Sequence, residues 1–305
     1  MPSTRSGSIR STPDVLEAGL PAAASPSSRS NRPAGSEYLK FSCSGGARRG
    51  TIEFQYSLED HRLALAQQDE FKSDFCQDLA QIEEWAADRH WPASPTAEFR
   101  IAVSDRFRIS KSLFPAWSGR AGSMEFPTWR VIARKAAIAH ELAHVFFPNG
   151  NRLLAEGLAV YLQAELGGNP AFPNFGQPLH KLARERLWAM MSGLSQENAA
   201  NLELIHLAEL DAIATPRPLM LRIGNDWYGE EPRGQAHLYP IAGSFIQFLI
   251  ETRGLTPFRD LYESTPLVPL QQNSGSPDRW TKAYGSSLSY LESEWKSMIT
   301  GMVKS

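Results

Sequence analysis

The chain has 305 residues, which is enough for one large domain or two small ones with a sizeable core. Its hydrophobic content of 42% and charged content of 21% are those of an ordinary globular protein. The formal net charge of -2, with no concentrated run of Lys or Arg, argues against binding to nucleic acid, because phosphate binding needs a basic face.

No stretch of the sequence reaches the roughly 18 to 20 consecutive apolar residues that a bilayer-crossing helix needs. The most apolar part of the N-terminal region, Val15 to Ala24, is interrupted by Glu17, Gly19 and Pro21 and does not form the core of a secretory signal. We therefore expect a soluble protein without a membrane span. Its compartment stays open: the protein is cytoplasmic, or it is exported and its natural start differs.

Residues 1–36 are rich in Ser, Pro, Arg and Gly and nearly free of aromatic side chains. Such a segment cannot bury enough apolar surface to offset its ordering entropy, so we predict that it is disordered. The folded region is predicted to span residues 37–305 as a single domain, with a mixed α/β lobe over 37–130 and a helical lobe over 131–305. The predicted class is α+β, a short sheet followed by helices.

In the first lobe, Tyr38 to Cys43 and Thr51 to Tyr56 flank a Gly-rich turn and predict a β-hairpin. Apolar residues three and four positions apart predict a helix from Asp69 to Arg89. Two further strands are predicted from Glu98 to Val103 and from Gly122 to Phe126. The first lobe is therefore expected to hold one helix and a small sheet.

The two cysteines, Cys43 and Cys76, have no partner at the short spacing typical of zinc knuckles or redox motifs. A thiolate metal site is therefore not expected. One disulfide and two free thiols both remain compatible with the sequence.

The segment HELAH at residues 140–144 carries the main chemical signal. It lies in a run from Val131 to Phe147 that is rich in apolar residues and lacks Pro and Gly, which predicts a buried helix. Residues four apart share one face of a helix, so His140 and His144 reach one ion, and Glu141 stays close enough to act on a water there. Burying these groups without a bound cation would be costly.

A second helix is predicted directly after the first. The turn PNGN at residues 148–151 breaks the first helix, and the pattern from Arg152 to Leu166, closed by two glycines, predicts the second. His144 lies about six residues before the centre of the turn and Glu156 about six after it, so at ~1.5 Å per residue both reach the same height on facing helices. Helix axes ~8–10 Å apart leave space for a metal ion between them.

The predicted ligands of one Zn2+ ion per chain are therefore His140, His144 and Glu156. Two His and one Glu with an open position form a catalytic zinc arrangement. Gly157, beside Glu156, is predicted to let the two helices approach closely, at a cost of about 1 kcal/mol in helix propensity.

These two helices resemble those of the gluzincin metallopeptidases. HELAH at residues 140–144, followed by LAEGLAVY at 154–161, is similar to the pattern HELAH … LxEGxAxY of the aminopeptidase-type and peptidase MA-like members. Eleven residues separate His144 from Glu156, fewer than in the large aminopeptidases, which implies a shortened connection. The resemblance covers residues 100 to 299 and includes YPIAGSFIQFL, which heads a helix at 239–249, and the closing helix of the family at 284–299.

The resemblance implies a thermolysin-like zincin core that hydrolyses peptide bonds in a peptide or protein substrate. In such a mechanism Glu141 takes a proton from the attacking water and passes it to the leaving amine. Tyr239 is implied as the donor that stabilises the oxyanion, and His237, two residues earlier, is a rival for this role.

Two segments around the site are given expected roles. The strand from Gly122 to Glu125 is predicted to pair with an extended substrate as an added strand. It also resembles the aminopeptidase GxMEN motif, whose Glu holds the substrate amine; here Phe126 replaces the Asn, which leaves such a role for Glu125 open. The segment from Asp226 to Glu231 is predicted to be a loop that either covers the cleft or is simply solvated.

Two other functions remain compatible with the sequence. One is a zinc-binding scaffold or regulatory protein that retains the site without turnover, and the other is a structural protein with a coincidental motif. The sequence leaves open the substrate, exo- or endopeptidase specificity and the oligomeric state.

Overall fold

The computed structural model describes residues 35–43, 48–56, 63–91, 98–113, 122–190, 205–223, 226–229, 232–268 and 273–301. The predicted disordered segment lies, up to residue 34, outside these ranges. Gly35 and Ser36 already belong to a strand, so the folded part begins earlier than the predicted residue 37.

The described residues form seven strands and ten helices. The strands are β1 (Gly35–Ser42), β2 (Arg49–Tyr56), β3 (Glu98–Ser104), β4 (Lys111–Leu113), β5 (Gly122–Pro127), β6 (Met220–Ile223) and β7 (Asp226–Gly229). The helices are α1 (Leu65–Asp88), α2 (Thr128–Ile132), α3 (Ile138–Phe146), α4 (Arg152–Leu166), α5 (Leu179–Met190), α6 (Leu207–Asp211), α7 (Pro232–Arg253), α8 (Leu255–Glu263), α9 (Asp278–Tyr284) and α10 (Leu288–Gly301). A short sheet followed by helices is an α+β arrangement. None of the described helices is long and apolar enough to cross a bilayer.

Five strands form one sheet in the order β1-β2-β3-β5-β4. The predicted hairpin is confirmed as the antiparallel pair of β1 and β2, and both further predicted strands are present. Strand β5 pairs with β3 on one side and with β4 on the other. The prediction that the strand from Gly122 to Glu125 pairs with an extended substrate is therefore wrong, because both of its sides are already paired, and β4 is the strand at this end of the sheet.

Helix α1 covers one face of the sheet with aromatic side chains. The ring of Phe75 contacts Phe41 of β1 at 5.3 Å and Phe99 of β3 at 5.4 Å, both edge to face. A disulfide between Cys43 and Cys76 joins the end of β1 to the same helix, which answers the question that the sequence left open. The sheet and α1 therefore form one packed layer pair.

The helix that carries residues 140–144 begins at Ile138, not at Val131 as predicted. Between the two positions lie the end of α2 and a turn in which Arg134 adopts a positive φ of 52°. The carboxylate of Asp78 on α1 accepts a hydrogen bond of 3.2 Å from the backbone N–H of Ala139. This bond satisfies one of the free N–H groups at the start of α3. Because Asp78 is 61 residues away from Ala139, no local sequence pattern marks the start of this helix.

Helix α4 has its predicted bounds, but Gly157 does not face α3. A Cβ atom added at Gly157 would lie 2.3 Å from Ile246 Cγ1 and 2.9 Å from the carbonyl oxygen of Ala242, both on α7. Gly157 follows Glu156 by one residue, which is ~100° around the helix, so the two point toward different neighbours. The predicted role of Gly157 is therefore corrected: it allows the close approach of α4 and α7.

We expect Gly157→Ala to lower the free energy of unfolding by about 1–3 kcal/mol, because the carbonyl of Ala242 is backbone and cannot turn aside. Thermal unfolding followed by circular dichroism measures this effect. Gly301→Ala in α10 is a matched control, since no atom of the described part of the chain lies within 4 Å of its added Cβ. Equal unfolding midpoints for the two variants would contradict the close approach of α4 and α7.

Three expectations for the second half of the chain need correction. The helix that contains Tyr239 begins at Pro232, so this residue lies inside α7 and does not head it. Residues 226–229 form β7, which pairs with β6, and only residues 230 and 231 of the predicted loop lie outside the described part. The closing helix predicted over residues 284–299 is present as α10 but begins at Leu288, because Tyr284 ends α9 and Gly285 follows it in a left-handed conformation with φ of 67°.

Candidate metal centre

The structure brings the three predicted ligands to one point. The Nε2 atoms of His140 and His144 lie 3.3 Å apart. Glu156 Oε2 lies 3.2 Å from His140 Nε2, and Glu156 Oε1 lies 3.4 Å from His144 Nε2. Two ligands ~2.0–2.1 Å from a tetrahedral ion are ~3.3–3.4 Å apart. The observed separations are therefore those of adjacent ligands in a tetrahedral zinc site.

The burial of this cluster also fits a bound cation. His140 and His144 are each 5% exposed and Glu156 is 1% exposed. Within the described residues, Glu156 Oε2 has no hydrogen-bond partner, and leaving such an oxygen buried is costly. Two imidazoles and a carboxylate are donors that Zn2+ accepts. The residues present therefore fit a zinc ion.

Glu156 is held in its ionised form. Burial opposes its ionisation, but the positive charge of Arg152, then the charge of His144 and the proximity of both imidazoles, hold the pKa of Glu156 well below its usual range. Arg152 Nη1 lies 2.9 Å from Glu156 Oε1, one turn earlier on α4. A carboxylate kept charged in this way is ready to bind a cation.

The turn between α3 and α4 is fixed by side-chain amides. Asn151 caps α4, with its side chain accepting a 2.9 Å hydrogen bond from the N–H of Leu154. The amide of Asn151 also donates to Asp211, and the amide of Asn149 donates to the carbonyl of Tyr262 at 2.7 Å. These bonds set the height of Glu156 relative to the two imidazoles.

The outer ends of the same two helices share one anchor, Asp78. Besides the N–H of Ala139, its carboxylate accepts a 2.9 Å hydrogen bond from the N–H of Gly168, just beyond α4. Burial raises the pKa of Asp78 to about 6, against the opposing effect of these two bonds. Gln163 of α4 adds a bond by accepting from the N–H of His140 at 3.2 Å. Both ends of the helix pair are thus tied together.

Glu141 lies beside the ligands and is 4% exposed. Burial raises its pKa to about 7, with the charge of His140 opposing this shift and the charge of Glu156 adding to it. Smaller opposing effects come from the charge of Arg130 and from a hydrogen bond with the hydroxyl of Ser112 on β4. A carboxylate with a pKa near neutrality is suited both to accept and to return a proton.

Of the two candidate oxyanion donors, the structure places Tyr239 against the metal cluster. Its ring stacks on that of His140 with centroids 5.7 Å apart and an interplanar angle of 15°. His237 is half-buried, and its pKa is lowered by burial and by the positive charge of Arg186 on α5. The position of Tyr239 therefore suits the role better than that of His237.

Glu125 lies in β5, where it pairs with Ala102 of β3 and Lys111 of β4. It is half-exposed and is not one of the three side chains whose ligand atoms converge. An amine-binding role for Glu125 stays a prediction.

Sequence reasoning missed three residues at this site: Ser112, Arg130 and Arg152. A sequence signal existed only for Arg152, which precedes Glu156 by one helical turn and thus lies on the same face of α4. Ser112 sits on a three-residue strand, too short to show a periodicity. Arg130 has no neighbour in sequence that distinguishes a buried arginine from a solvated one.

No family model matches the sequence, and the search of curated proteins finds no match. Similar solved structures include an M1 zinc metallopeptidase from Deinococcus radiodurans, with 15% identity and a TM-score of 0.41 over 87% of this chain and 52% of that chain. A mutant M1 zinc metallopeptidase from the same organism, bound to a Tyr-Ser-Ala substrate, gives 14% identity and a TM-score of 0.42 over 87% and 51%. The chain spans about half the length of these structures, and at such values the likeness does not assign a family.

Proposed function

We propose that this chain is a zinc-dependent metallopeptidase of the gluzincin type with a thermolysin-like catalytic core. The observation that carries this proposal is the convergence of His140, His144 and Glu156, with ligand atoms 3.2 to 3.4 Å apart on two consecutive helices. This spacing matches a tetrahedral zinc site with three protein ligands and one open position, which is the form of a catalytic site.

The metal ligands and the residues beside them have distinct tasks in peptide hydrolysis. A Zn2+ ion on these three ligands supplies Lewis acidity toward water and toward the oxygen of a scissile carbonyl. Glu141 accepts the proton of the attacking water and returns it to the leaving nitrogen. Arg152 keeps Glu156 ionised, and Tyr239 donates a hydrogen bond to the oxyanion.

Strand β4 supports an extended peptide as the substrate. Among the described strands, β4 pairs with β5 alone, which leaves its other side available for backbone hydrogen bonds. Ser112 in the middle of β4 bonds to Glu141, so this edge passes the catalytic carboxylate. A peptide added to β4 would bring its backbone to the metal centre.

A mixed peptide library tests the proposal. We expect the zinc-loaded protein to cleave peptides, to lose this activity with a chelator such as 1,10-phenanthroline, and to regain it when Zn2+ is added back. Mass spectrometry of the products distinguishes exo- from endopeptidase cleavage. Stoichiometric zinc without any cleavage would favour the inactive scaffold, and protein that binds no zinc would remove both explanations.

We expect Tyr239→Phe to lower kcat by about 10²–10³ with a small change in KM, because the lost hydroxyl acts mainly on the transition state. Steady-state kinetics on a peptide from the library measure the effect. His237→Gln is the comparison variant and should stay within a few-fold of the wild type. A larger loss in His237→Gln than in Tyr239→Phe would assign the oxyanion to the histidine.

A further inference from the structure

Arg130 is a buried arginine whose charge the described part of the chain leaves mostly uncompensated. It lies in α2, directly after β5, and is 8% exposed. A guanidinium carries five N–H donors, and among the described residues its side chain makes one hydrogen bond, a long 3.4 Å contact from Nη1 to Ser110 Oγ. No ion pair joins it to a carboxylate within the same residues. Burying a cation in this way is costly unless an anion joins it.

Two aromatic rings contact the guanidinium of Arg130. Its Cζ lies 5.2 Å from the ring centroid of Trp129 and 5.1 Å from that of Phe172. Such contacts fix the plane of the guanidinium and thus the direction of its donors. Trp129 is 42% exposed, so the rings around Arg130 reach the protein surface.

The same group of side chains continues into the metal centre. The ring of Phe172 lies 5.8 Å from that of Tyr239, which in turn stacks on His140. The charge of Arg130 acts on both Glu141 and Tyr239. Arg130 therefore lies close to the residues that would act on the scissile bond.

We propose that Arg130 binds a carboxylate of the substrate next to the bond that is cleaved. This inference rests on the proposed peptidase function and adds a substrate class to it: peptides with a negative charge near the cleavage point. Arg130 is suited to this role because a guanidinium of fixed orientation binds a carboxylate with two parallel hydrogen bonds. The neighbouring rings of Trp129 and Phe172 can contact the apolar part of the substrate residue that carries the carboxylate.

The charge balance of the site also favours an anionic substrate. Among the metal ligands and the residues that contact them, the negatively charged side chains are Glu141 and Glu156. The positive charge of a divalent ion, Arg130 and Arg152 together exceeds their negative charge. The carboxylate has two sources in a peptide, the free C-terminus and an Asp or Glu side chain. A free C-terminus would make the protein remove short C-terminal fragments, whereas a side chain would direct cleavage next to acidic residues.

Binding without turnover provides the first test. The zinc-loaded Glu141→Gln variant is titrated by calorimetry with two pairs of peptides. In the first pair the same peptide ends in a C-terminal acid or a C-terminal amide. In the second pair the residue beside the scissile bond is Glu or Gln. We expect one carboxylate form to bind about ten- to a hundredfold more tightly than its neutral counterpart, as hydrogen bonds to a charged group allow. The pair that shows the difference identifies the source of the carboxylate. No difference in either pair overturns the inference.

Substitution of Arg130 provides the second test. In the zinc-loaded Glu141→Gln/Arg130→Gln double variant the preference should disappear while the affinity for the neutral peptide stays the same. Arg130→Lys retains the positive charge but lacks the two parallel N–H donors of a guanidinium, so it should keep only part of the preference for the carboxylate. Zinc content and thermal unfolding establish that each variant is folded, and a preference that persists in a folded double variant contradicts the assignment.

Hydrolysis separates this inference from the proposed function. If the wild type cleaves peptides but neither the C-terminal acid and amide pair nor the Glu and Gln pair differs in rate, and Arg130→Gln slows all four peptides equally, the peptidase function stands. The charge of Arg130 then acts only on Glu141 and does not bind a substrate carboxylate. If no peptide is cleaved but the carboxylate preference in binding depends on Arg130, the anion site stands and the peptidase function falls.

Discussion

Glu141→Gln is expected to lower kcat by about 10²–10⁴ while zinc binding stays stoichiometric, because the amide keeps the size of the side chain and cannot accept a proton. Glu141 is not one of the three converging ligands, so the metal site itself is unchanged. Steady-state kinetics together with elemental analysis of zinc measure the two quantities on the same protein sample.

The matched control for this change is Glu165→Gln, the same substitution at an exposed residue near the end of α4. It should leave both kcat and zinc content unchanged. If Glu141→Gln retains more than about a tenth of the activity, Glu141 is not the general base and the proton must move through another group.

Glu156→Ala is expected to abolish stoichiometric zinc binding. The change removes one of three ligands and leaves the charge of Arg152, with a side chain 13% exposed, beside two buried imidazoles. For the wild type, zinc at a thousand times its dissociation constant adds about 4 kcal/mol to the free energy of unfolding. Thermal unfolding with added Zn2+ and with chelator measures this gain, which the variant should lack.

Glu165→Ala, on the same helix but exposed, is the control for Glu156→Ala and should show the full zinc-dependent rise in the unfolding midpoint. An equal rise in Glu156→Ala would mean that the ion binds without this carboxylate. The tetrahedral arrangement on α3 and α4 would then have to be abandoned.

The sequence predicted the helix pair well because its signals are local. The HELAH spacing, the PNGN turn and the two closing glycines each act over a few residues, and α4 has the predicted bounds Arg152–Leu166. Equal distances from one turn then bring His144 and Glu156 to the same height, and their nitrogen and oxygen atoms lie 3.4 Å apart.

The errors come from contacts between residues distant in sequence. The start of α3 depends on Asp78, which is 61 residues away from Ala139. The edge of the sheet depends on the placement of β4 outside β5, which no periodicity in three residues reveals. Gly157 was assigned to the wrong neighbour because a sequence does not show which of two helices packs on a given face.

Asp78 has a mechanical consequence for the metal centre. It connects the first turn of α3, which carries His140, and the residue after α4, which carries Glu156, to one position on α1. A displacement of α1 relative to the rest of the fold would therefore carry both ligands in the same direction and preserve the distance between them.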